Sequence, residues 1–248
     1  MIEGPKISII TACFNSDATL EKTLKSLYSQ TYKNFQHVIV DACSTDNSLK
    51  IISRNNWKDR IVLSEKDKGI NDAFNKGLNL CTGSVVGFLN SDDQLTDGTV
   101  LQKIAIAFHT EKCDVSYGDL KYFSLKNPKK VVRNWIAGQY KQSNLVLGWM
   151  PPHPTFYCKM EIIKAIGAFK IDLDVSADYD LMLRILQKKK YKIHYIPSTL
   201  VNMQLGGKSN TNIFKKLRED YSIISNSNLL GILTLIAKNF RKLGQFFV

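Results

Sequence analysis

The chain has 248 residues, 44% hydrophobic and 23% charged, and this balance excludes wholesale disorder. Lys and Arg number 34 against 22 Asp and Glu, a net charge of +12, which favours an anionic partner such as a phosphorylated small molecule, an anionic lipid or a nucleic acid. The five widely spaced cysteines form no CxxC pair, so neither a zinc ribbon nor a disulfide framework is expected. Without a signal-peptide pattern or an apolar run near the roughly 20 residues that span a bilayer, a cytoplasmic protein is expected.

The first 120 residues alternate between two hydrophobic periods. Short β-branched apolar runs predict buried strands, and apolar residues spaced three and four apart predict helices between them. The strands are expected at 6–11, 35–40, 60–64, 84–89 and 114–120, with helices beginning near residues 16, 46, 70 and 99. Strands joined by helices require right-handed crossovers, so this alternation predicts an α/β fold with a Rossmann-like, mostly parallel central sheet flanked by helices.

The pattern loosens after residue 120. Residues 121–150 are typical of irregular β structure and loops, and two helices are expected at 159–166 and 179–187, followed by a strand at 191–197. The last 36 residues are basic and helical in composition. They are expected to form a separate C-terminal extension, 213–248, behind a main domain at 1–212.

Polar side chains follow four of the predicted strands. Phe14 and Asn15 come after the first strand, Asp41 after the second, Asp67 after the third, and 90–93 after the fourth. Ligands of such sheets bind beyond the carboxyl ends of the strands. These four clusters are therefore expected to face one crevice.

The sharpest motif is Asn90-Ser91-Asp92-Asp93, at the end of an apolar strand. Two adjacent carboxylates can hold a hard divalent cation and leave coordination positions for phosphate oxygens. Alternatively, one of these acids caps the helix expected near Thr99, because acidic residues favour helix N-termini.

Two further clusters each allow a functional and a structural interpretation. Asp41 can accept a hydrogen bond from a nucleobase imide N–H, and Phe14 either stacks on a base or packs in the core. Asp178 lies at the start of a predicted helix, so it is either a cap or a general base aimed into a cleft.

Together these motifs resemble the family 2 glycosyltransferases, inverting enzymes of the GT-A fold. The residues that carry the resemblance are Ser8-Ile9-Ile10-Thr11 with Phe14-Asn15, Ile39-Val40-Asp41, 64–77, Leu89-Asn90-Ser91-Asp92-Asp93, and Ala177-Asp178-Tyr179-Asp180-Leu181 with Arg184. The stretch 64–77 is similar to one in bacterial capsule, O-antigen and colanic-acid sugar transferases. The resemblance covers about residues 6 to 210.

The resemblance implies a nucleotide-sugar-binding half, 1–120, with Mn²⁺ or Mg²⁺ as cofactor. Within it, Asp41 would bind the base, Phe14 would stack on it, and Asp93 would be the principal metal ligand. The implied nucleotide-binding residues are Thr11, Phe14, Asn15, Asp41, Asp67 and Asp92. UDP is favoured because Asp41 suits an imide N–H, a group that dTDP shares.

The resemblance also implies an acceptor-binding half, 121–212, in which Asp178 is the catalytic base. His153 resembles a histidine before the acceptor-side strand, with an acceptor or diphosphate contact or a structural role. Lys208, in the 206–209 loop, would meet the diphosphate, and Asp180 is a second candidate for the base. The acceptor would be a glycan or a polyprenyl-diphosphate-linked sugar of bacterial surface polysaccharide synthesis.

The sequence departs from the family pattern at two places, with Asn90 where many members have Asp and Ala177 where many have Glu. These departures keep open an inactive homologue that still binds nucleotide. A nucleotidyltransferase would need a Gly-rich basic loop after the first strand, which 12–16 lacks. A nucleic-acid-binding protein is suggested only by the charge, and no nucleic-acid partner is expected.

The basic tail suggests a further partner. Leu229, Leu233, Ile236 and Phe240 fall near helical spacing among basic residues. Such a helix can lie in the interface of an anionic membrane, at the inner face of the cytoplasmic membrane. Alternatively, its apolar stripe packs on the main domain or on a second subunit.

Overall fold

A computed structural model describes residues 4–124, 127, 130–204, 213–227 and 229–243. Its first half alternates strands and helices, as predicted. These elements are β1 (Ile7–Cys13), α1 (Leu20–Tyr28), β2 (Phe35–Asp41), α2 (Ser48–Arg54), β3 (Arg60–Ser64), α3 (Ile70–Leu80) and β4 (Val85–Phe88).

The second half is less regular. Its strands and helices are β5 (Gln94–Leu95), α4 (Val100–His109), β6 (Val115–Phe123), β7 (Val131–Trp135), β8 (Tyr157–Lys159), α5 (Met160–Ile166), α6 (Ala177–Leu186), β9 (Ile193–Gln204), α7 (Ile213–Ser225) and α8 (Ile232–Leu243). The sequence predicted an irregular stretch at 121–150. A 3-10 turn, Gln142–Leu145, lies within this stretch, and a second, His153–Thr155, follows it.

The strands form one sheet in the order β3-β2-β1-β4-β8-β6-β9-β5, with β7 paired to β6. Strands β3, β2, β1 and β4 are parallel neighbours. Strand β8 lies between β4 and β6 and is antiparallel to both, so β6 and its parallel partner β9 run in the direction of β1. The predicted mostly parallel α/β sheet is confirmed, with short antiparallel strands inserted into its second half.

Two hydrophobic clusters cover the two faces of this sheet. Ile10 and Val38 belong to one cluster, whereas Ile9 and Val85 belong to the other. Neighbouring side chains of a strand point to opposite faces, so the helices bury both faces of the sheet between them. Parallel strands covered on both sides have continuous apolar sequences, which is why β1 and β2 were visible in the sequence.

Strand β9 continues seven residues beyond its predicted end at Pro197, to Gln204. Its register against β6 shifts between the pairs Tyr117–Tyr195 and Asp119–Thr199, so the proline lies in a bulge. A bulge removes the need for the backbone N–H that proline lacks. Pro197 therefore marks an irregularity within β9 and not the end of the strand.

The tail is helical, as predicted, but α7 shares the core of the main domain. Ile223 and Ile224 are buried in the same cluster as β2 and α6 residues. On α8, Thr234 Oγ1 donates a hydrogen bond of 2.7 Å to the carbonyl of Val146. The expected separation between 1–212 and 213–248 therefore does not coincide with a break in the hydrophobic core.

Candidate active site

The acidic motif after β4 contains one buried and one half-buried carboxyl group, those of Asp93 and Asp92. Asp93 is fully buried, and its Oδ2 accepts a hydrogen bond of 2.9 Å from Asn90 Nδ2. Burial raises the pKa of Asp93 well above its ordinary value and the charge of Asp92 raises it further, against the opposing hydrogen bonds from Asn90. Burial likewise raises the pKa of Asp92. An unliganded protein therefore disfavours two negative charges here.

Helix capping does not explain this pair. The acid at the start of α4 is Asp97, whose Oδ1 accepts hydrogen bonds from the N-cap residue Thr99, from its backbone N–H at 2.7 Å and from its hydroxyl at 2.6 Å. Asp92 and Asp93 are thus left for another role. The capping alternative was plausible from sequence because it required only an acid near Thr99, and Asp97 is a closer one.

The pair fits a divalent cation by one specific feature. The buried Asp93 Oδ1 has no hydrogen-bond partner among the residues that the structure describes, and an orphaned buried oxygen is rare unless an ion or water completes it. Within the same residues, no group of three or more His, Cys, Asp or Glu side chains is placed to hold a metal. Asp93 and Asp92 would therefore supply only part of a coordination shell, with the remaining oxygens coming from a substrate or water.

Asp178 lies in the first turn of α6 and is half-buried. Its Oδ1 accepts a hydrogen bond of 2.7 Å from the Tyr179 backbone N–H. This contact is the partial capping role that the sequence left open. The side chain nevertheless keeps solvent access, which a proton acceptor needs.

Tyr122, at the end of β6, links the acidic pair to Asp178. Burial raises the pKa of Tyr122, Arg133 opposes this, and the charges of Asp93 and Asp178 both raise it further. Coulombic influence falls with distance, so both carboxyl groups lie near enough to the phenol to affect its pKa. A shared site for the predicted metal ligand and the predicted base stays a prediction.

Arg133, on β7, lies beside Tyr122. Its guanidinium lies 4.7 Å from the Tyr122 ring centroid and 5.0 Å from that of Trp135. Cation–π contacts with two rings hold the guanidinium in place. Sequence reasoning missed Arg133 and Tyr122 because their proximity depends on β6–β7 pairing across a loop.

His153 is half-buried and packs among three aromatic rings. Its ring stacks on Phe88 with centroids 5.2 Å apart and lies 6.1 Å from Phe74 and 5.9 Å from Phe169. Burial lowers the pKa of His153, and the charge of Asp178 only partly opposes this, so the ring is neutral at pH 7. The packing favours the structural role, although its buried Nε2 lacks a partner within the described chain.

On the nucleotide side, Asp41 is fully buried at the end of β2. Its Oδ2 accepts hydrogen bonds from the Ser44 N–H at 3.0 Å and from Ser64 Oγ at 2.7 Å, and its Oδ1 accepts one from Ser44 Oγ. A carboxylate offers about four acceptor positions, so one remains. A base could reach it only after the covering residues move.

The loop after β1 is held against the loop after β2. Asn15 adopts a positive φ of 47°, a conformation that asparagine tolerates better than most residues. Its Oδ1 accepts a hydrogen bond of 2.8 Å from the Thr45 N–H. Phe14 is 60% exposed, which removes the core-packing alternative and leaves its ring accessible for stacking.

Asp67 lies half-buried in the loop between β3 and α3, at the same edge of the sheet. Its Oδ1 accepts a hydrogen bond of 2.9 Å from the Gly69 N–H. Gly69 has a φ of 117°, which favours glycine. The observed role of Asp67 is therefore to shape this turn, and a nucleotide contact stays a prediction.

Two predicted site residues have other partners in the structure. Thr11 is fully buried, and its Oγ1 is 3.0 Å from His37 Nε2, inside the β1–β2 layer. Asp180 is buried and forms ion pairs of 2.8 Å with Lys170 and 2.7 Å with Arg184. The nucleotide contact of Thr11, and the role of Asp180 as an alternative base or a diphosphate or acceptor contact, stay predictions. The predicted Lys208 loop lies outside the described residues.

Comparisons with known proteins assign the family. The sequence model of glycosyl transferase family 2 matches residues 8–167. The chain therefore belongs to glycosyl transferase family 2 and is a glycosyltransferase, an enzyme of glycan synthesis. The GT-A fold expected from the resemblance is confirmed.

Similar proteins span nearly the whole chain. A PGL/p-HBAD biosynthesis glycosyltransferase of Mycobacterium tuberculosis is 28% identical over 95% of this chain and 91% of its own length. The Escherichia coli protein WfaP, a UDP-Glc:alpha-D-GlcNAc-diphosphoundecaprenol beta-1,3-glucosyltransferase, is 30% identical over 89% of this chain and 86% of its own.

Solved structures share the fold at lower identity. S. aureus TarS 1–349 in complex with UDP-GlcNAc superposes with a TM-score of 0.74 at 20% identity, over 95% of this chain and 73% of that one. The Pyrobaculum calidifontis mannosyltransferase PcManGT, in complex with GDP-Man and Mn²⁺, gives a TM-score of 0.66 at 15% identity, over 96% and 70%.

Proposed function

We propose that this glycosyltransferase moves a sugar from a nucleotide sugar to a hydroxyl of a glycan or lipid-linked saccharide, with inversion at the anomeric carbon. The observation that carries the proposal is that two carboxyl groups in different environments both act on the Tyr122 phenol, and we take the three groups to line one crevice. Asp93 is buried with an orphaned oxygen, whereas Asp178 is half-buried. One environment suits a cation and the other suits a proton acceptor.

The reaction is a single displacement. The acceptor oxygen forms a bond to C1 of the sugar as the bond from C1 to the diphosphate oxygen breaks. Asp178 takes the hydroxyl proton as the attack proceeds, and the nucleoside diphosphate leaves with the bonding electron pair. Attack from the face opposite the leaving group inverts C1, so no second carboxylate is needed as a nucleophile.

The departing diphosphate gathers negative charge, and this chain offers two kinds of partner for it. When bound by Asp93 and Asp92, Mn²⁺ or Mg²⁺ would act as a Lewis acid that stabilises this charge. Arg133, fixed on the rings of Tyr122 and Trp135, supplies a protein cation in the same crevice.

UDP is the proposed nucleotide. Its uracil would stack on the exposed Phe14 and donate its imide N–H to the remaining acceptor position of Asp41. WfaP is named as a UDP-Glc-dependent enzyme and the TarS complex holds UDP-GlcNAc, whereas the PcManGT complex holds GDP-Man. The WfaP name also supports a diphosphoundecaprenol-linked acceptor, in bacterial surface polysaccharide synthesis.

The experiment that tests this function combines binding and turnover. UDP, dTDP and GDP are titrated calorimetrically with and without Mn²⁺, and the matching nucleotide sugars are incubated with polyprenyl-diphosphate-linked acceptors. We expect metal-dependent UDP binding and release of UDP that requires the acceptor. Tight binding without turnover on any acceptor would favour the inactive-homologue alternative, and absence of nucleotide binding would contradict the proposal.

We further propose that α8 docks the enzyme on an anionic membrane, where a lipid-linked acceptor would lie. Leu233, Ile236 and Phe240 form an exposed apolar row on α8, with the exposed Arg241 beside it. The protein's charge of +12 complements anionic headgroups. None of the described helices is long and apolar enough to cross a membrane, so the proposed contact is interfacial.

Changing Leu233 and Phe240 to serine is expected to weaken cosedimentation with phosphatidylglycerol vesicles by about tenfold, because the inserted apolar area is lost. The matched control replaces Leu49 and Ile171, exposed apolar residues elsewhere, and should bind normally. Point substitutions are preferable to deleting 213–248, since α7 contributes to the core. Unchanged vesicle binding by the α8 variant would contradict the docking face.

A further inference from the structure

The helix α7 holds the turn that leads into the catalytic helix α6. The Glu219 carboxylate accepts three backbone N–H hydrogen bonds from this turn, from Asp174 at 3.1 Å and from Val175 and Ser176 at 2.9 Å each. Glu219 is 9% exposed. Charge-assisted hydrogen bonds of this kind are stronger than those between neutral groups, so three of them fix the backbone of the turn.

A second anchor lies beside the first. Ser176 Oγ donates a hydrogen bond of 2.8 Å to Asp220, which also forms an ion pair of 2.7 Å with Lys238 on α8. The Lys238 ammonium lies 3.2 Å from the ring centroid of Tyr179. Helices α7 and α8 therefore contact the turn before α6 and the residue that follows Asp178.

These contacts adjoin Asp178 in the chain. The turn ends at Ser176 and α6 begins at Ala177, so only Ala177 separates the last anchored N–H from Asp178. A helix fixed at its first turn has a fixed direction for the side chains of that turn. A displacement of about 1 Å in a reacting group can cost about 100-fold in rate, so the anchoring of this turn bears on the chemistry.

The geometry points to Glu219 as a positioning residue of the transferase. We infer that its three hydrogen bonds set the orientation of Asp178, with the contact of Ser176 to Asp220 as support. The inference rests on the proposed role of Asp178 as the base. Glu219 lies beyond residues 8–167, the part matched by the family model, as does Asp178, so this contact joins two elements outside the matched segment.

The test replaces Glu219 with glutamine, which keeps the size of the side chain but substitutes a donor for one acceptor oxygen. We expect kcat to fall by about 100-fold with KM for the nucleotide sugar within about twofold of wild type. Calorimetric nucleotide binding should be unchanged. The matched control is Glu161→Gln, an exposed glutamate on α5, which should keep full activity.

A double-mutant cycle distinguishes positioning from a general loss of structure. If Glu219 acts through Asp178, Glu219→Gln should cost nothing further in a protein that already carries Asp178→Asn. If it acts through overall stability, the two losses should multiply. Multiplying losses, or wild-type kcat in the single variant, would overturn the inference.

A second variant and a comparison with Asp178→Asn complete the test. Should Glu219→Gln fail to fold, Ser176→Ala removes only the second anchor, and its expected loss of kcat is about fivefold; wild-type kcat there would overturn the inference. Fully active Asp178→Asn would contradict the proposed base and the positioning role together. Inactive Asp178→Asn beside wild-type Glu219→Gln would contradict only the positioning role.

Discussion

Replacing Asp178 with asparagine is expected to lower kcat by about three orders of magnitude while nucleotide-sugar binding stays near wild type. Asparagine keeps the shape of the side chain and can still accept the hydrogen bond that the Tyr179 N–H donates to Asp178. It cannot take a proton from the acceptor hydroxyl. The substitution therefore removes the proposed chemical step without disturbing the first turn of α6.

The measurements are steady-state turnover, calorimetric donor binding and thermal unfolding. The matched control is Asp172→Asn, an exposed aspartate in the preceding loop, which should leave all three unchanged. Wild-type turnover in Asp178→Asn would move the base elsewhere. Asp180 is a poor substitute, because Lys170 and Arg184 hold its carboxylate on both oxygens.

The first half of the fold could be predicted because its signals are local. Strands β1 and β2 are continuous apolar runs, and the helices between them repeat with a helical period. Strand β8 was missed because it has three residues, Tyr157–Lys159, and its place between β4 and β6 is set by pairing across the chain. Such short strands carry no periodicity of their own.

Candidate site residues could be predicted where their position at the end of a strand or the start of a helix points to them. They could not be predicted where only their contacts with distant residues point to them. Asp93 and Asp178 follow from their places at a strand end and a helix start. The contact of Thr11 with His37 could not be predicted, because every residue of β1 is buried and alternation gave no sign of which face Thr11 occupies. Arg133 and Glu219 were missed because their partners lie across β6–β7 pairing and across more than 40 residues.

Replacing Asp93 with asparagine is expected to abolish the Mn²⁺-dependent part of UDP affinity and to lower kcat by about three orders of magnitude, because the proposed Lewis acid loses its principal ligand. Asparagine keeps an acceptor for Asn90 Nδ2. It also removes a buried charge that burial and Asp92 disfavour. In metal-free buffer the variant should therefore unfold at a temperature no lower than wild type.

The matched control is Asp97→Asn, which alters an acid of the same segment whose contacts are to Thr99 and Lys103. It should lower the unfolding temperature slightly, because the ion pair with Lys103 is lost while an acceptor for Thr99 remains, and Mn²⁺-dependent UDP binding should persist. Asp93→Asn is thus expected to lose metal binding without losing stability, whereas Asp97→Asn is expected to lose stability without losing metal binding. Mn²⁺-linked affinity that survives in Asp93→Asn would show that the orphaned Oδ1 serves another purpose, and the cation would then need ligands other than this buried carboxylate.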